Sequence, residues 1–171
     1  MAPTVHAGCV VLGEAGVLVR GPSGSGKSAL AAALVARWRA AGAFAAIVAD
    51  DRVVLEAAGG RLIARAPAPL AGLMEIAGRG IVTVAAAEAA VVRLVLDLVP
   101  AVELARMPEA DQVSIHLQGV SVARQPVPAQ AIERAAALAE AALAPLGHLL
   151  PTGHVRGDSP GLLPTGKADR R

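Results

Sequence analysis

The sequence predicts one α/β domain with a mixed, partly antiparallel sheet and flanking helices. Three observations carry that prediction. An apolar strand-like run passes through a glycine- and serine-rich loop into a helix-like run and then a second apolar run, the order of an α/β unit. Three pairs of short apolar runs meet at glycine-containing turns, and such hairpins bring antiparallel pairs into the sheet. The chain has 171 residues, 54% hydrophobic and 18% charged, enough to build one packed core and too apolar for wholesale disorder.

The elements follow in order. Val5 to Leu12 and Val17 to Arg20 flank the turn Gly13-Glu14-Ala15-Gly16 and predict a hairpin. Gly21 to Gly26 is a loop. Lys27 to about Ala41 carries no Gly or Pro and stops at Gly42, a helix with a glycine end. Phe44 to Ala49 is an apolar run of strand length that closes on Asp50 and Asp51. Arg52 to Glu56 and Arg61 to Ala66 surround Gly59-Gly60, a second hairpin. Leu73 to Val84 mixes short strand-like runs with Gly78 and Gly80 and is expected to be an ordered loop. Val91 to Leu98 predicts a buried strand ended by Pro100. Val113 to Leu117 and Val120 to Arg124 predict a third hairpin about Gln118-Gly119, and Gln130 to Leu143 a last helix. The domain is expected to span 1–146. Residues 147–171, rich in Gly and Pro and holding Leu-Leu-Pro-Thr-Gly twice, are expected to form a disordered tail.

Composition excludes several function classes. The longest charge-free run, 141–155, is 15 residues and contains Pro145, Gly147, Pro151 and Gly153, whereas a membrane-spanning helix needs ~20 unbroken apolar residues. The mean hydropathy of +0.54 owes much to alanine. No basic start of a secretory signal precedes the first strand, and Cys9 is the single cysteine, so no internal disulfide forms. The expected location is the cytoplasm. The net charge is +2, the arginines are scattered, and Trp38 and Phe44 are the aromatic residues. Neither the basic stripe nor the stacking aromatics of a nucleic-acid binder is present.

Gly21-Pro22-Ser23-Gly24-Ser25-Gly26-Lys27-Ser28 matches G-x-x-x-x-G-K-[ST] in full. Glycines let backbone amides curl around phosphate oxygens, and the helix N-terminus that follows adds positive potential. Lys27 would neutralise the β- and γ-phosphates of a nucleotide, and the Ser28 hydroxyl would ligate Mg²⁺. Of sixteen basic residues only Lys27 and Lys167 are lysines. Position 27 therefore calls for a compact ammonium rather than a planar guanidinium. It is expected to be an exposed loop lysine. Asp50-Asp51 ends the next strand, where one carboxylate can reach the metal while the other takes a proton from an attacking hydroxyl. Spacing alone does not say which does which.

Read together, these residues resemble the catalytic domain of HPr kinase/phosphorylase. The match runs from His6 through the Gly21–Ser28 loop, Ile47-Val48-Ala49-Asp50-Asp51 and Arg65-Ala66-Pro67-Ala68-Pro69. It continues through Gly72-Leu73-Met74-Glu75-Ile76-Ala77-Gly78-Arg79-Gly80-Ile81-Val82. It covers about half of the chain and fits the short, catalytic-domain-only form known from alphaproteobacteria.

The resemblance implies a P-loop fold of the HPr kinase/phosphoenolpyruvate carboxykinase-like type. It implies ATP-dependent phosphorylation of a serine of the phosphocarrier HPr, its phosphate-dependent reversal, and regulation of a phosphotransferase system. Mg²⁺ as cofactor and assembly as a hexamer are implied with it. It gives His6, Lys27, Asp50 and Asp51 catalytic places, and Ser28, Asp51 and Glu75 places at the metal. Arg79 would meet phosphate or substrate. Two departures stand out. The family's Met-Glu-Ile/Val-Arg-Gly-x-Gly-Ile has Ala77 where arginine is usual, with Arg79 two places on, a shift that keeps one face if the segment is extended. A Pro-Gly-Arg-Asn-type loop is replaced by Pro126-Val127-Pro128-Ala129-Gln130. Two other readings fit the residues: a small-molecule P-loop kinase, which would need an arginine-rich lid, and a nucleotide-binding regulator, which Ala77 alone favours. Arg93, Arg106 and Arg124 are expected to be solvated, and Cys9 to be a small core residue.

Overall fold

Thr4–Leu12 (β1) and Ala15–Arg20 (β2) form the first hairpin in a computed structural model that describes residues 4–151. Leu12 lies opposite Ala15, so two residues turn the chain rather than the four expected; two-residue turns match the right-handed twist of paired strands. Lys27–Ala40 is the first helix (α1) and Ala45–Ala49 (β3) is buried throughout. Phe44, counted with that strand from sequence, is 64% exposed. Its carbonyl accepts the Gly13 N–H at 2.7 Å.

Arg52–Ala58 (β4) and Arg61–Arg65 (β5) are the second hairpin. Leu73–Ile76 (β6) and Gly80–Thr83 (β7) pair as a separate two-stranded sheet. An ordered loop was expected there, because four-residue strands broken by glycine are too short to display a period. Ala89–Val99 (β8) is the long central strand, followed by Ser114–Leu117 (β9), Val120–Pro128 (β10) and Ile132–Leu143 (α2).

Strand β10 runs four residues beyond its expected end and takes Pro126 and Pro128 into the sheet, parallel to β8. Ala129 donates to Val99 C=O while Arg124 donates the other way, to Val113 C=O. Alternate N–H groups face opposite edges, so the two prolines lack theirs on the side that β9 no longer covers.

β1 and β8 organise the whole. On one edge β1 pairs with β2, and on the other with β4 over residues 4–6 and with β3 over residues 9–12. β8 likewise pairs with β2 on one edge and with β5 and then β10 on the other. Because β4 also pairs with β5, the strands β1, β4, β5, β8 and β2 close into a ring. Alternation along β1 and β8 then serves two cores. Cys9, Leu18, Leu55, Leu62 and Val95 fill the space inside the ring. Val10, Leu12, Leu94 and Leu96 face outward against Leu30, Leu34 and Trp38 of α1 and Ala135, Ala139 and Leu143 of α2.

Burial pushes the Cys9 thiol up to about 12, so it behaves as the small core residue expected. No helix among the described residues is long and apolar enough to cross a membrane. Leu150 still packs against the helix-side core; the expected tail from Thr152 on, with His154 and Lys167, lies outside the described residues.

Candidate active site

The glycine-rich loop is built by the junction of β2 and α1. Gly26 caps the helix at φ +101, and Gly24 sits at φ +75, both in the left-handed region that glycine enters without a Cβ penalty. A Cβ on Gly26 would also lie 3.3 Å from Ile132 Cδ1 at the start of α2. No side chain caps α1, so its first amides stay free for an anion. Ser25 is buried and its hydroxyl has no partner among the described residues. Lys27 is not the exposed residue expected. It is 7% exposed, and its Nζ donates to Gly21 C=O and Pro22 C=O, each at 3.0 Å. The ammonium thus ties together the carbonyls of the first two loop residues.

The acidic pair falls where β1 changes partner, from β3 to β4. Arg52 N–H donates to Asp50 C=O at 2.7 Å, with Asp51 between them at φ +62. That is a tight three-residue turn of the strained kind, and it splays the two carboxylates apart. Asp50 faces α1: its Oδ1 accepts from Ser28 Oγ at 2.7 Å. Asp51 faces β1, where its Oδ1 lies 2.8 Å from His6 Nε2, and Ala7 N–H donates to its C=O. The expected metal set joined Ser28 to Asp51; the side chain that meets Ser28 is that of Asp50.

The β6–β7 hairpin reaches the same place by its backbone. Glu75 N–H donates to Asp50 Oδ2 at 3.1 Å, so Asp50 is held from two sides. The Glu75 carboxylate is exposed and makes no hydrogen bond to the loop or the acidic pair. Arg79 is exposed in the hairpin turn, its N–H on Ile76 C=O. Positions 77 and 79 are therefore not neighbours along an extended strand, and the same-face argument for the shifted arginine does not hold. Among the described residues no three His, Cys, Asp or Glu side chains gather as a metal cluster.

Two further groups adjoin the loop. Asp97 of β8 is 9% exposed and is held by Arg20, through two bonds of 2.8 Å, and by Arg124 at 2.5 Å. Burial alone pushes its carboxyl up. The hydrogen bonds and charges of both arginines outweigh that and hold it below the usual carboxylate range. Arg20 is the residue before Gly21, so this triad fixes the strand end from which the loop springs. Gln130, at φ +60 between β10 and α2, donates its N–H to Ser25 C=O at 3.2 Å and its side-chain amide to Gly24 C=O.

Residues 1–148 match the family model described as the HPr Serine kinase C-terminal domain. The chain belongs to that family. The HPr(Ser) kinase/phosphatase from Coxiella burnetii is similar in structure, with a TM-score of 0.69 and 25% sequence identity over 85% of this chain and 90% of that one. No curated protein matches the chain. Membership supports the general function of an HPr kinase/phosphatase-type protein, and the mixed α/β architecture agrees with that of the Coxiella structure.

Of the residues singled out from sequence in this HPr kinase-type domain, the fold brings together Gly21 to Ser28, Asp50, Asp51 and His6. It brings Glu75 by its amide and leaves Arg79 apart. Asp97, Arg20 and Arg124 were missed, and Arg124 is bonded rather than solvated. A signal was there: Asp97 is the one acid in an otherwise apolar buried strand apart from Arg93, and a buried carboxylate needs cations. Gln130 carried no such signal.

Proposed function

We propose that this chain is an ATP-dependent serine kinase of an HPr-type phosphocarrier protein, working with Mg²⁺. The observation that carries the reading is the Ser28–Asp50 hydrogen bond beside the separate His6–Asp51 pair. It supplies two hard oxygen donors at the mouth of an uncapped helix and, separate from them, a second carboxylate, held by His6, for proton transfer. One or two protein oxygens plus substrate phosphates suit Mg²⁺, so the residues fit the ion, held by Ser28 and Asp50. When bound, the ion neutralises charge on the β- and γ-phosphates.

The chain's own residues do the rest. The amides of Gly21–Ser28 and the Lys27 ammonium hold the phosphates and draw off the charge that develops on the leaving group. Asp51 accepts the proton of the attacking serine hydroxyl as its oxygen bonds to the γ-phosphorus and the bond to ADP breaks. His6 keeps the Asp51 carboxylate oriented. The Glu75 amide fixes Asp50, so Asp50 and Asp51 are not interchangeable.

The reverse reaction brings phosphoserine and inorganic phosphate together and needs more positive charge than the forward one, which arginine best supplies. Ala77 replaces one family arginine, Arg79 stands out in the hairpin turn, and Gln130 occupies the loop before α2. The reading is therefore a working kinase with weak phosphorylase activity. Both directions are to be measured on the same carrier protein. Forward transfer clearly exceeding reverse is expected; reverse turnover equal to forward turnover contradicts the directional part, and no transfer from ATP contradicts the kinase.

A further inference from the structure

The wall of the glycine-rich loop that faces α2 is held by Gln130. Its backbone at φ +60 is one that glycine and asparagine favour and glutamine seldom adopts. Such strain persists where the surroundings over-determine it, typically at ligand clamps. Two donors of this one residue fasten two successive peptides of the loop: the main-chain N–H holds Ser25 C=O, and the side-chain Nε2 holds Gly24 C=O.

In a trans peptide the C=O and the following N–H point opposite ways. Drawing Ser25 C=O toward Gln130 turns the Gly26 N–H away from Gln130. Drawing Gly24 C=O outward turns the Ser25 N–H inward, where it donates to Pro22 C=O at 3.2 Å and closes the loop. The helix pair does not need Gln130, because Arg37 of α1 is bonded to Glu133 and Glu140 of α2. The side-chain amide thus acts on the loop, not on the packing of the domain.

We propose that Gln130 is a positioning residue of the phosphate-binding loop, its amide donor holding the Gly24–Ser25 peptide, whose N–H closes the loop on Pro22 C=O, and so keeping the loop in the shape that binds ATP. The proposal rests on the reading of Gly21–Ser28 as that loop. The side chain has to be a donor: a glutamate of the same shape would set a carboxylate oxygen against the Gly24 carbonyl.

The test is direct MgATP binding by calorimetry, with melting temperature and steady-state kinetics on the carrier, for wild type, Gln130→Gly and Gln130→Glu. The glycine variant keeps the main-chain bond and relieves the backbone strain, so it isolates the amide. Expected are folded variants, an ATP dissociation constant weakened about 2- to 12-fold in Gln130→Gly, and a larger loss in Gln130→Glu. The KM for ATP is expected to rise with the dissociation constant, and kcat at saturating ATP to fall by less than the affinity does. Wild-type affinity in either variant overturns the proposal, as does an affinity loss that merely follows a fall in melting temperature. A wild-type protein that does not bind MgATP overturns the underlying reading and this proposal together.

Discussion

Lys27 shows what a single residue does here. Its ammonium satisfies two loop carbonyls that curl around it, a task for three donors on one compact point rather than for a planar fork. Lys27→Ala is expected to abolish phosphate transfer and Lys27→Arg to fail as well; an arginine variant that turns over ATP within a few-fold of wild type contradicts this. Because Lys27 is buried, the alanine variant is also expected to lose some stability, which a melting curve checks. The acidic pair divides by neighbour. Asp50→Asn is expected mainly to raise the Mg²⁺ concentration required. Asp51→Asn is expected to lower kcat at saturating Mg²⁺ by about 10²–10⁴-fold, the usual cost of losing a general base. Mild and indistinguishable effects in a Mg²⁺ titration of both variants would reduce the pair to a structural turn.

At the scale of elements, β8 carries the fold because it touches β2, β5 and β10, and Asp97 fastens two of them through Arg20 and Arg124. Removing one member of a buried ionic group leaves the others unpaired, at a cost of about 3–5 kcal/mol. Asp97→Asn is expected to lower Tm by roughly 6–20 °C at pH 7. The sign with pH follows from the depressed carboxyl. Its stabilisation is fully present above the ordinary carboxylate value and is lost as pH falls through the lower folded value. Denaturant midpoints of wild type and Asp97→Asn are therefore expected to converge in strong acid; a gap that widens there contradicts the assignment.

The same elements show how much was legible. Both helices, the three expected hairpins and the Gly21–Ser28 loop could be read from local signals: glycine at turns, the absence of breakers, the spacing of the motif. The β6–β7 hairpin, the extension of β10 through two prolines, and the bond that gives Asp50 rather than Asp51 to Ser28 could not. Each depends on what a strand meets across the ring, and residues 22, 25 or 77 positions apart in sequence leave no local trace of meeting.

Over the whole molecule, the ring of strands holds the loop, the acidic pair and His6 in one place, at the ends of β2 and β3 and on β1, while both helices cover the opposite layer of the core. Assembly as a hexamer is expected from the family resemblance, and sedimentation at working concentration checks it; a monomer there contradicts that expectation. The claim on which the rest depends is transfer of phosphate from ATP to a serine of an HPr-type carrier. Its most direct test is the intact mass of the carrier after incubation with the protein and MgATP, followed by mapping of the modified residue. The account predicts one added phosphate, on a single serine, absent when Lys27→Ala replaces the wild type. A carrier of unchanged mass beside a protein that binds MgATP, or a phosphate on histidine instead of serine, would contradict it.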